Sequence, residues 1–149
     1  MFAFLALPGV IAFVVPYLLR PSDGYDARSW TLGAVPLGAG IVLLLWCVRD
    51  FYRRGKGTLA PWSPPRELVV AGAYRFSRNP MYIAVALVLC GWSIGFRSGS
   101  IALYTAAVIV AFHLRVVFGE EPWLARTHGD KWERYKARVP RWFGRPSQS

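Results

Sequence analysis

Uncharged apolar runs are the dominant pattern along this chain. Residues 2–19, 31–48 and 81–96 contain no charged side chain, and residues 98–114 contain only His113. At about 1.5 Å of rise per residue, a helix of this length spans roughly 24 to 27 Å, close to the hydrocarbon thickness of a bilayer. The pattern therefore predicts an all-α membrane protein with four transmembrane helices, at about 2–19, 31–48, 81–96 and 100–118.

Charge adds an orientation to this picture. The chain is 54% hydrophobic yet carries a net charge of +10, and all but three of its 18 Lys and Arg residues fall in 49–80 and 115–149. Because basic residues concentrate on the cytoplasmic side, we expect both termini and the segments 49–80 and 119–149 to be cytoplasmic. Charge segregated in this way indicates a membrane protein rather than a nucleic-acid-binding one. We expect one membrane-embedded domain over residues 1–149, with the first helix retained.

The spacing of the last two predicted helices brings distant residues together. Only residues 97–100 separate them, so we expect an antiparallel hairpin whose cytoplasmic ends place 78–82 beside 119–121. The segment 122–138 then mixes charged residues with recurring aromatic ones, which predicts a C-terminal interfacial amphipathic helix, bent near Gly129.

Three polar segments carry a family resemblance. They are GAYRFSRNPMY at 72–82, GEEPW at 119–123 and WERYKARVPR at 132–141. The chain resembles the integral-membrane methyltransferases that include the isoprenylcysteine carboxyl methyltransferases and the phospholipid N-methyltransferases, over about 66–143. The resemblance implies methyl transfer from S-adenosylmethionine to an amphiphilic acceptor. Asn79 stands where the family pattern has histidine, and Trp132 where it has tyrosine.

The start of the third helix suits the carboxylate of such a cofactor. Pro80 is expected at the first helical position, where the missing N–H costs nothing, and Asn79 at the N-cap, where its side chain would accept from an unpaired backbone N–H. The positive end of the helix dipole, with Arg75 and Arg78, would then attract the carboxylate. Either arginine alone also suits an anchor to lipid phosphates.

Other positions complete the expected site. Glu120 and Glu121 are candidate partners for the cofactor's α-amine and candidate catalytic groups, and Tyr74 and Tyr82 have rings that can stack on adenine. The resemblance implies further cofactor contacts, which are those of Asn79, Pro80, Met81, Tyr82 and Glu120, with Tyr135 and Arg141 in a tail that folds back over the cofactor. Gly95, in GWSIG, either lines the cofactor pocket or packs helices together.

The sequence does not identify the methyl acceptor. A lipid amine, an isoprenylcysteine-like carboxylate and a small thiol all fit a site reached from the bilayer, and only an ammonium acceptor needs a proton acceptor such as Glu120 or Glu121. His113 and Arg115 are candidate linings of the acceptor pocket. Cys47 and Cys90 are expected to be small hydrophobes, so no metal site is predicted. Two alternatives remain, an NADPH-dependent reductase of the sterol reductase type and a non-enzymatic lipid-binding membrane protein.

Overall fold

The computed structural model describes residues 9–21, 27–54, 68 and 70–143, and every regular element in these ranges is a helix. Helix α1 consists of a π-helical stretch, Val10–Val14, and an α-helical turn, Val15–Leu18. Helix α2 spans Ala27–Arg54, and a 3₁₀ turn follows at Gly72–Arg75. Helix α3 spans Pro80–Phe96, and α4 spans Gly99–Arg115 and continues as a π-helical stretch, Val116–Glu120. Two short helices, α5 at Glu121–His128 and α6 at Asp130–Lys136, complete the chain.

Two helical segments in the described ranges are long and apolar enough to cross a membrane, Ser29–Asp50 and Gly99–His128. Only 17% of the residues in the apolar window of each are buried within the protein, so side chains such as Leu32, Val35 and Leu103 face outward. Apolar surface of this extent is stable only in apolar surroundings. The all-helical fold and these two segments support an integral membrane location; α3 is equally apolar but shorter, with 17 residues.

Helix boundaries differ most from the predicted ones in α2, which is longer at both ends, and at the end of α4. Helix α2 runs to Arg54, so residues 49–54, predicted to belong to a cytoplasmic segment, are helical. The fourth predicted helix does not end at 118 but passes through the π-helical stretch into α5. Pro122, in the first turn of α5, has no N–H to donate, so a regular α-helical ladder cannot run through it and the wider turn precedes it. Residues 2–8 of the first predicted helix and 55–67 lie outside the described residues.

Close contact between α2 and α3 depends on small residues. A Cβ on Gly33 would lie 2.7 Å from the carbonyl oxygen of Gly91 and 2.7 Å from the amide nitrogen of Gly95. About two turns further along α2, a Cβ on Gly40 would lie 2.7 Å from the carbonyl oxygen of Ala84. The two backbones therefore meet at glycines, as in other membrane helix pairs.

The core lies where α1, α2, α3 and α4 meet. Ala12, Val85, Val88 and Leu89 are buried together, with partly buried rings and aliphatic side chains around them. The Tyr104 hydroxyl donates to the carbonyl oxygen of Ile11 at 3.2 Å, which attaches α4 to α1. Cys47 is buried and Cys90 partly buried, and both are free thiols.

The turn between α3 and α4 is short. Arg97 adopts a left-handed conformation with φ of 48°, and Ser98 caps α4 by accepting from the Ile101 N–H at 3.3 Å. The start of α3 lies beside the end of α4, where the rings of Tyr82 and Phe112 are 4.4 Å apart between centroids. Residues distant in sequence therefore meet at this end of the two helices.

The tail folds back onto the segment before α3. The helix is interrupted at Gly129, as predicted. This glycine has φ of 49° and separates α5 from α6. Trp132, Tyr135 and Val139 then form a buried cluster against Leu68 and α5. The apolar side of α6 is thus covered by protein.

Candidate active site

The first polar contact of the site joins α3 to the π-helical stretch after α4. The Tyr82 hydroxyl donates a hydrogen bond to Glu120 Oε1. Arg115 Nε donates to the same oxygen at 2.9 Å. The Glu120 side chain remains 34% exposed, so its carboxylate is accessible from outside while two donors orient it. The predicted meeting of 78–82 with 119–121 is found in the structure.

The neighbouring glutamate has different surroundings. Arg141 donates to both oxygens of Glu121, from Nε at 2.8 Å and from Nη2 at 2.7 Å. Arg78 Nη1 lies 3.0 Å from Glu121 Oε1, an ion pair that lacks hydrogen-bond alignment. The Glu121 side chain is only 13% exposed. Two guanidinium groups therefore enclose this carboxylate, whereas Glu120 faces outward.

The tail holds the segment before α3 through its backbone. The Arg78 N–H donates to the carbonyl oxygen of Pro140 at 2.9 Å. The carbonyl oxygen of Arg141 accepts from Ser77 Oγ and from Asn79 Nδ2, each at 3.1 Å. Asn79 occupies the N-cap position of α3, but the predicted side-chain cap is wrong. The Asn79 side chain makes no capping hydrogen bond and binds the tail instead. Pro80 is the first residue of α3, as predicted.

Further contacts fix the 3₁₀ turn. The Tyr135 hydroxyl donates to the carbonyl oxygen of Tyr74 at 2.7 Å, and the buried carboxylate of Asp50 accepts from the Ala73 N–H at 3.3 Å. Gly72 has φ of 64°, and a Cβ there would overlap the Asp50 carboxylate. Sequence reasoning missed Asp50; an acidic residue two positions after an apolar run of eighteen residues was the available signal.

Burial and charge shift the pKa values of groups outside the membrane-crossing segments. Burial raises the pKa of the Tyr74 phenol well above its usual value, and burial likewise raises that of Tyr135. Burial lowers the pKa of Arg78, which Glu121 partly counteracts, whereas the hydrogen bonds to Glu121 raise that of Arg141. The two phenols therefore stay neutral to a higher pH than an exposed tyrosine does.

Aromatic side chains lie next to Glu120. The Trp142 ring lies 6.5 Å from the Tyr82 ring, and its Nε1–H donates to His113 Nδ1 at 3.2 Å. Sequence reasoning named His113 but missed Trp142, which directly follows the tail motif at 132–141. The mouth between α3 and α4 is thus lined with rings, of which Tyr82 also holds Glu120.

The remaining predicted site residues are not all close together. Met81 is buried against Cys47 and Ala73, and the Arg75 side chain is exposed. Gly95 lies thirteen positions after Tyr82, about 20 Å along α3, and a Cβ there would lie 3.1 Å from the Trp30 ring. Its position corresponds to the helix-packing alternative, not to a pocket shared with Glu120.

Comparison with known proteins assigns the chain to a family. A model of the phospholipid methyltransferase family matches residues 29–131, more than two thirds of the chain, including α2, α3, α4 and both glutamates. No curated protein and no solved structure gives a match. The comparison gives no support to the reductase or to the non-enzymatic alternative. The chain belongs to the phospholipid methyltransferase family.

Proposed function

We propose that the chain transfers a methyl group from S-adenosylmethionine to an amphiphilic acceptor, with Glu120 as the central residue of the site. The observation that carries the proposal is the contact between Tyr82 and Glu120, which unites the two polar motifs inside the range matched by the family. S-adenosylmethionine supplies an electrophilic methyl group when bound. The protein's task is then to align donor and acceptor and to exclude water.

The residues present fit this cofactor in three respects. The Asn79 side chain makes no capping hydrogen bond at the N-terminus of α3, so the N–H groups of the first turn are candidates for binding a carboxylate. The exposed part of the Glu120 carboxylate suits an α-amine. Arg78 Nε is buried and has no hydrogen-bond partner among the described residues, as expected beside a site that holds a polar ligand.

We assign the predicted residues to two groups. Tyr74, Arg75, Arg78, Asn79, Pro80, Met81, Tyr82 and Glu120 surround the proposed cofactor. Tyr135 and Arg141 act from behind it, because their side chains hold the 3₁₀ turn and Glu121. Gly95 belongs to the helix contact and is left out of the proposed site.

The two glutamates take different roles in this proposal. Glu121 is enclosed by Arg78 and Arg141, so it serves to position the tail. Glu120 keeps an exposed carboxylate, so it is the group that would hold an ammonium acceptor or accept its proton. A carboxylate or thiolate acceptor would need no such base.

The proposed membrane arrangement has four crossings, by α1, α2, α3 and α4, as one domain over residues 1–149. Helices α3 and α4 then form an antiparallel hairpin with the site at its cytoplasmic mouth. Both termini are cytoplasmic because the basic residues concentrate there. The cofactor enters from the cytoplasm and the acceptor from the bilayer.

Calorimetric titration with S-adenosylhomocysteine tests the proposal. We expect binding by the wild-type protein, about 10- to 100-fold weaker binding by Glu120→Gln because one charge-assisted hydrogen bond is lost, and no binding of NADPH. Glu133→Gln is the matched control, since this glutamate is 60% exposed and lies on α6. Binding of NADPH alone would identify a reductase, and equal affinity in both variants would remove Glu120 from the cofactor site.

A further inference from the structure

Helix α6 carries its positive and negative charges on different sides. One side is buried against Leu68 and α5. By helix geometry, the carboxylates of Asp130 and Glu133 lie on the side opposite to this buried cluster. Three exposed cations, at intervals of three and four residues, form a basic flank along the helix and the turn that continues it: Lys131, Arg134 and Arg138.

The protein supplies little counter-charge to this basic flank. Arg134 Nε donates to a backbone carbonyl oxygen of its own helix at 3.3 Å. Lys131 and Arg138 form no ion pair within the part of the chain that the structure describes, and Glu133 is paired with Lys136 at 3.9 Å. The basic flank therefore presents positive charge to an outside partner.

The basic flank begins next to the end of a membrane-crossing segment. The apolar helical segment Gly99–His128 ends one residue before Gly129, and α6 starts directly after this glycine. On α5, Trp123 is 37% exposed and Arg126 is exposed three positions later. An aromatic and a basic side chain at the end of a crossing segment are typical of the level of the lipid head groups. Lipid phosphates are therefore the anions closest to α6.

We propose that the basic flank of α6 binds the head groups of anionic phospholipids. Lysine and arginine form charge-assisted hydrogen bonds with phosphate oxygens, and each basic residue near an anionic membrane strengthens the attraction about 5-fold. The bound lipid is a partner and not a methyl acceptor, because a head group such as phosphoglycerol has no amine. The inference goes beyond the proposed function and does not depend on it.

The same contact stabilises the folded-back tail. Tyr135, on the buried side of α6, donates to the carbonyl oxygen of Tyr74, and the chain continues to Arg141, which binds Glu121. A ligand that binds the docked tail alone stabilises the docked state by mass action. Anionic lipid should therefore raise the thermal stability of the protein.

Native mass spectrometry with two lipids of identical chains tests the proposal. Detergent-purified protein is mixed with equal amounts of dioleoyl phosphatidylglycerol and dioleoyl phosphatidylcholine, which differ in the net charge of the head group. The wild type should retain the anionic lipid preferentially. Arg134→Gln combined with Arg138→Gln should weaken this preference about 25-fold, at about 5-fold for each cation.

A second arginine pair with the same spacing is the matched control. Arg49 and Arg53 are exposed on α2, also four positions apart, so Arg49→Gln combined with Arg53→Gln removes the same charge. This variant should keep the preference for the anionic lipid. Equal loss from both pairs would show a response to net charge and overturn the assignment to α6, as would a preference that survives in Arg134→Gln with Arg138→Gln.

Thermal unfolding in lipid nanodiscs separates lipid binding from damage to the fold. The quantity compared is the rise in midpoint within each variant when part of the phosphatidylcholine is replaced by phosphatidylglycerol, so differences in baseline stability cancel. The wild type and the α2 pair should show this rise, and the α6 pair should not. Lys131→Gln with Arg138→Gln replaces the α6 pair if that variant does not fold. An equal rise with inorganic phosphate in phosphatidylcholine nanodiscs would assign the basic flank to free anions and overturn the lipid contact.

Discussion

Arg78 and Glu121, 43 positions apart in the sequence, form a nearly buried ion pair beside the proposed site. Arg78 Nη1 lies 3.0 Å from Glu121 Oε1, and the two side chains are 2% and 13% exposed. Arg141 binds Glu121 from the tail, and the Arg78 guanidinium lies 5.4 Å from the Trp132 ring. One carboxylate thus connects the segment before α3, the start of α5 and the tail.

Glu121→Gln should strongly destabilise the protein. The change leaves the Arg78 guanidinium buried without its counter-charge, which typically costs about 3–5 kcal/mol, or roughly a 10 °C fall in thermal midpoint for a chain of this size. Thermal unfolding in lipid nanodiscs measures it. Glu133→Gln removes an exposed pair whose closest atoms are 3.9 Å apart, and it should change stability by no more than about 0.5 kcal/mol. Similar midpoints for the two variants would show that Arg78 does not depend on Glu121.

Gly72→Ala should destabilise the 3₁₀ turn through the buried Asp50 carboxylate. The glycine has φ of 64°, and a Cβ there overlaps Asp50. We expect a cost of about 2–4 kcal/mol from backbone strain and overpacking together. Gly129→Ala is the control because nothing lies within 4 Å of a Cβ there, so only a backbone cost applies. Its φ of 49° is paired with a ψ of −124°, a conformation rare for residues with a Cβ, so we expect a cost of about 1–3 kcal/mol without any overlap. Thermal unfolding of both variants measures the difference.

A double variant isolates the contact between these two residues. If overlap with Asp50 is the cause, Gly72→Ala combined with Asp50→Ala should be less destabilised than the sum of the single changes. Additive costs would mean that the strain at Gly72 has another origin.

Replacing a glycine of α2 by alanine should lower the stability of the protein at Gly33 and raise it at Gly38. Gly33→Ala places a Cβ 2.7 Å from the backbone of α3, so we expect the two helices to separate and the protein to lose stability. Gly38→Ala meets nothing within 4 Å and should stabilise α2 by about 0.5–1 kcal/mol. Unfolding by sodium dodecyl sulfate titration compares them. Destabilisation by both substitutions would contradict glycine-mediated packing of α2 on α3.

Sequence patterns predicted the features that depend on neighbouring residues in the chain. The apolar run from 81 to 96 and Pro80 defined α3 almost to the residue, and Gly129 marked the break in the tail. The short link at Arg97 predicted that Tyr82 lies near Glu120, because so short a turn leaves α3 and α4 side by side. The structure contains this contact.

The exact side-chain partners of individual residues could not be predicted. Asn79 looked like a helix cap, but its amide binds the carbonyl oxygen of Arg141, 62 positions away. Arg78 was predicted to attract the carboxylate of the cofactor, and its specific ion pair with Glu121 was not part of that prediction. The sequence does not distinguish an arginine with a free guanidinium from one that forms an ion pair, since the residue is the same in both cases.

Tyr135→Phe should change how stability depends on pH. Burial raises the pKa of this phenol, whereas in the unfolded chain it ionises near pH 10. Above about pH 10 the unfolded state therefore loses a proton that the folded state keeps, so the wild type loses stability as pH rises through that value. The phenylalanine variant has no such proton to lose.

The stability gap between the two proteins should accordingly close at high pH. At pH 8 the variant should be less stable by about 1 kcal/mol, because it lacks the hydrogen bond to the carbonyl oxygen of Tyr74. By pH 11, ionisation of the unfolded wild type removes about the same amount, so the two thermal midpoints should nearly coincide. Thermal midpoints of the wild type and of Tyr135→Phe, measured from pH 8 to 11, test this expectation. A gap that stays constant across this range would mean that the Tyr135 phenol ionises equally readily in the folded and unfolded states, and that its hydrogen bond to the 3₁₀ turn does not hold it neutral.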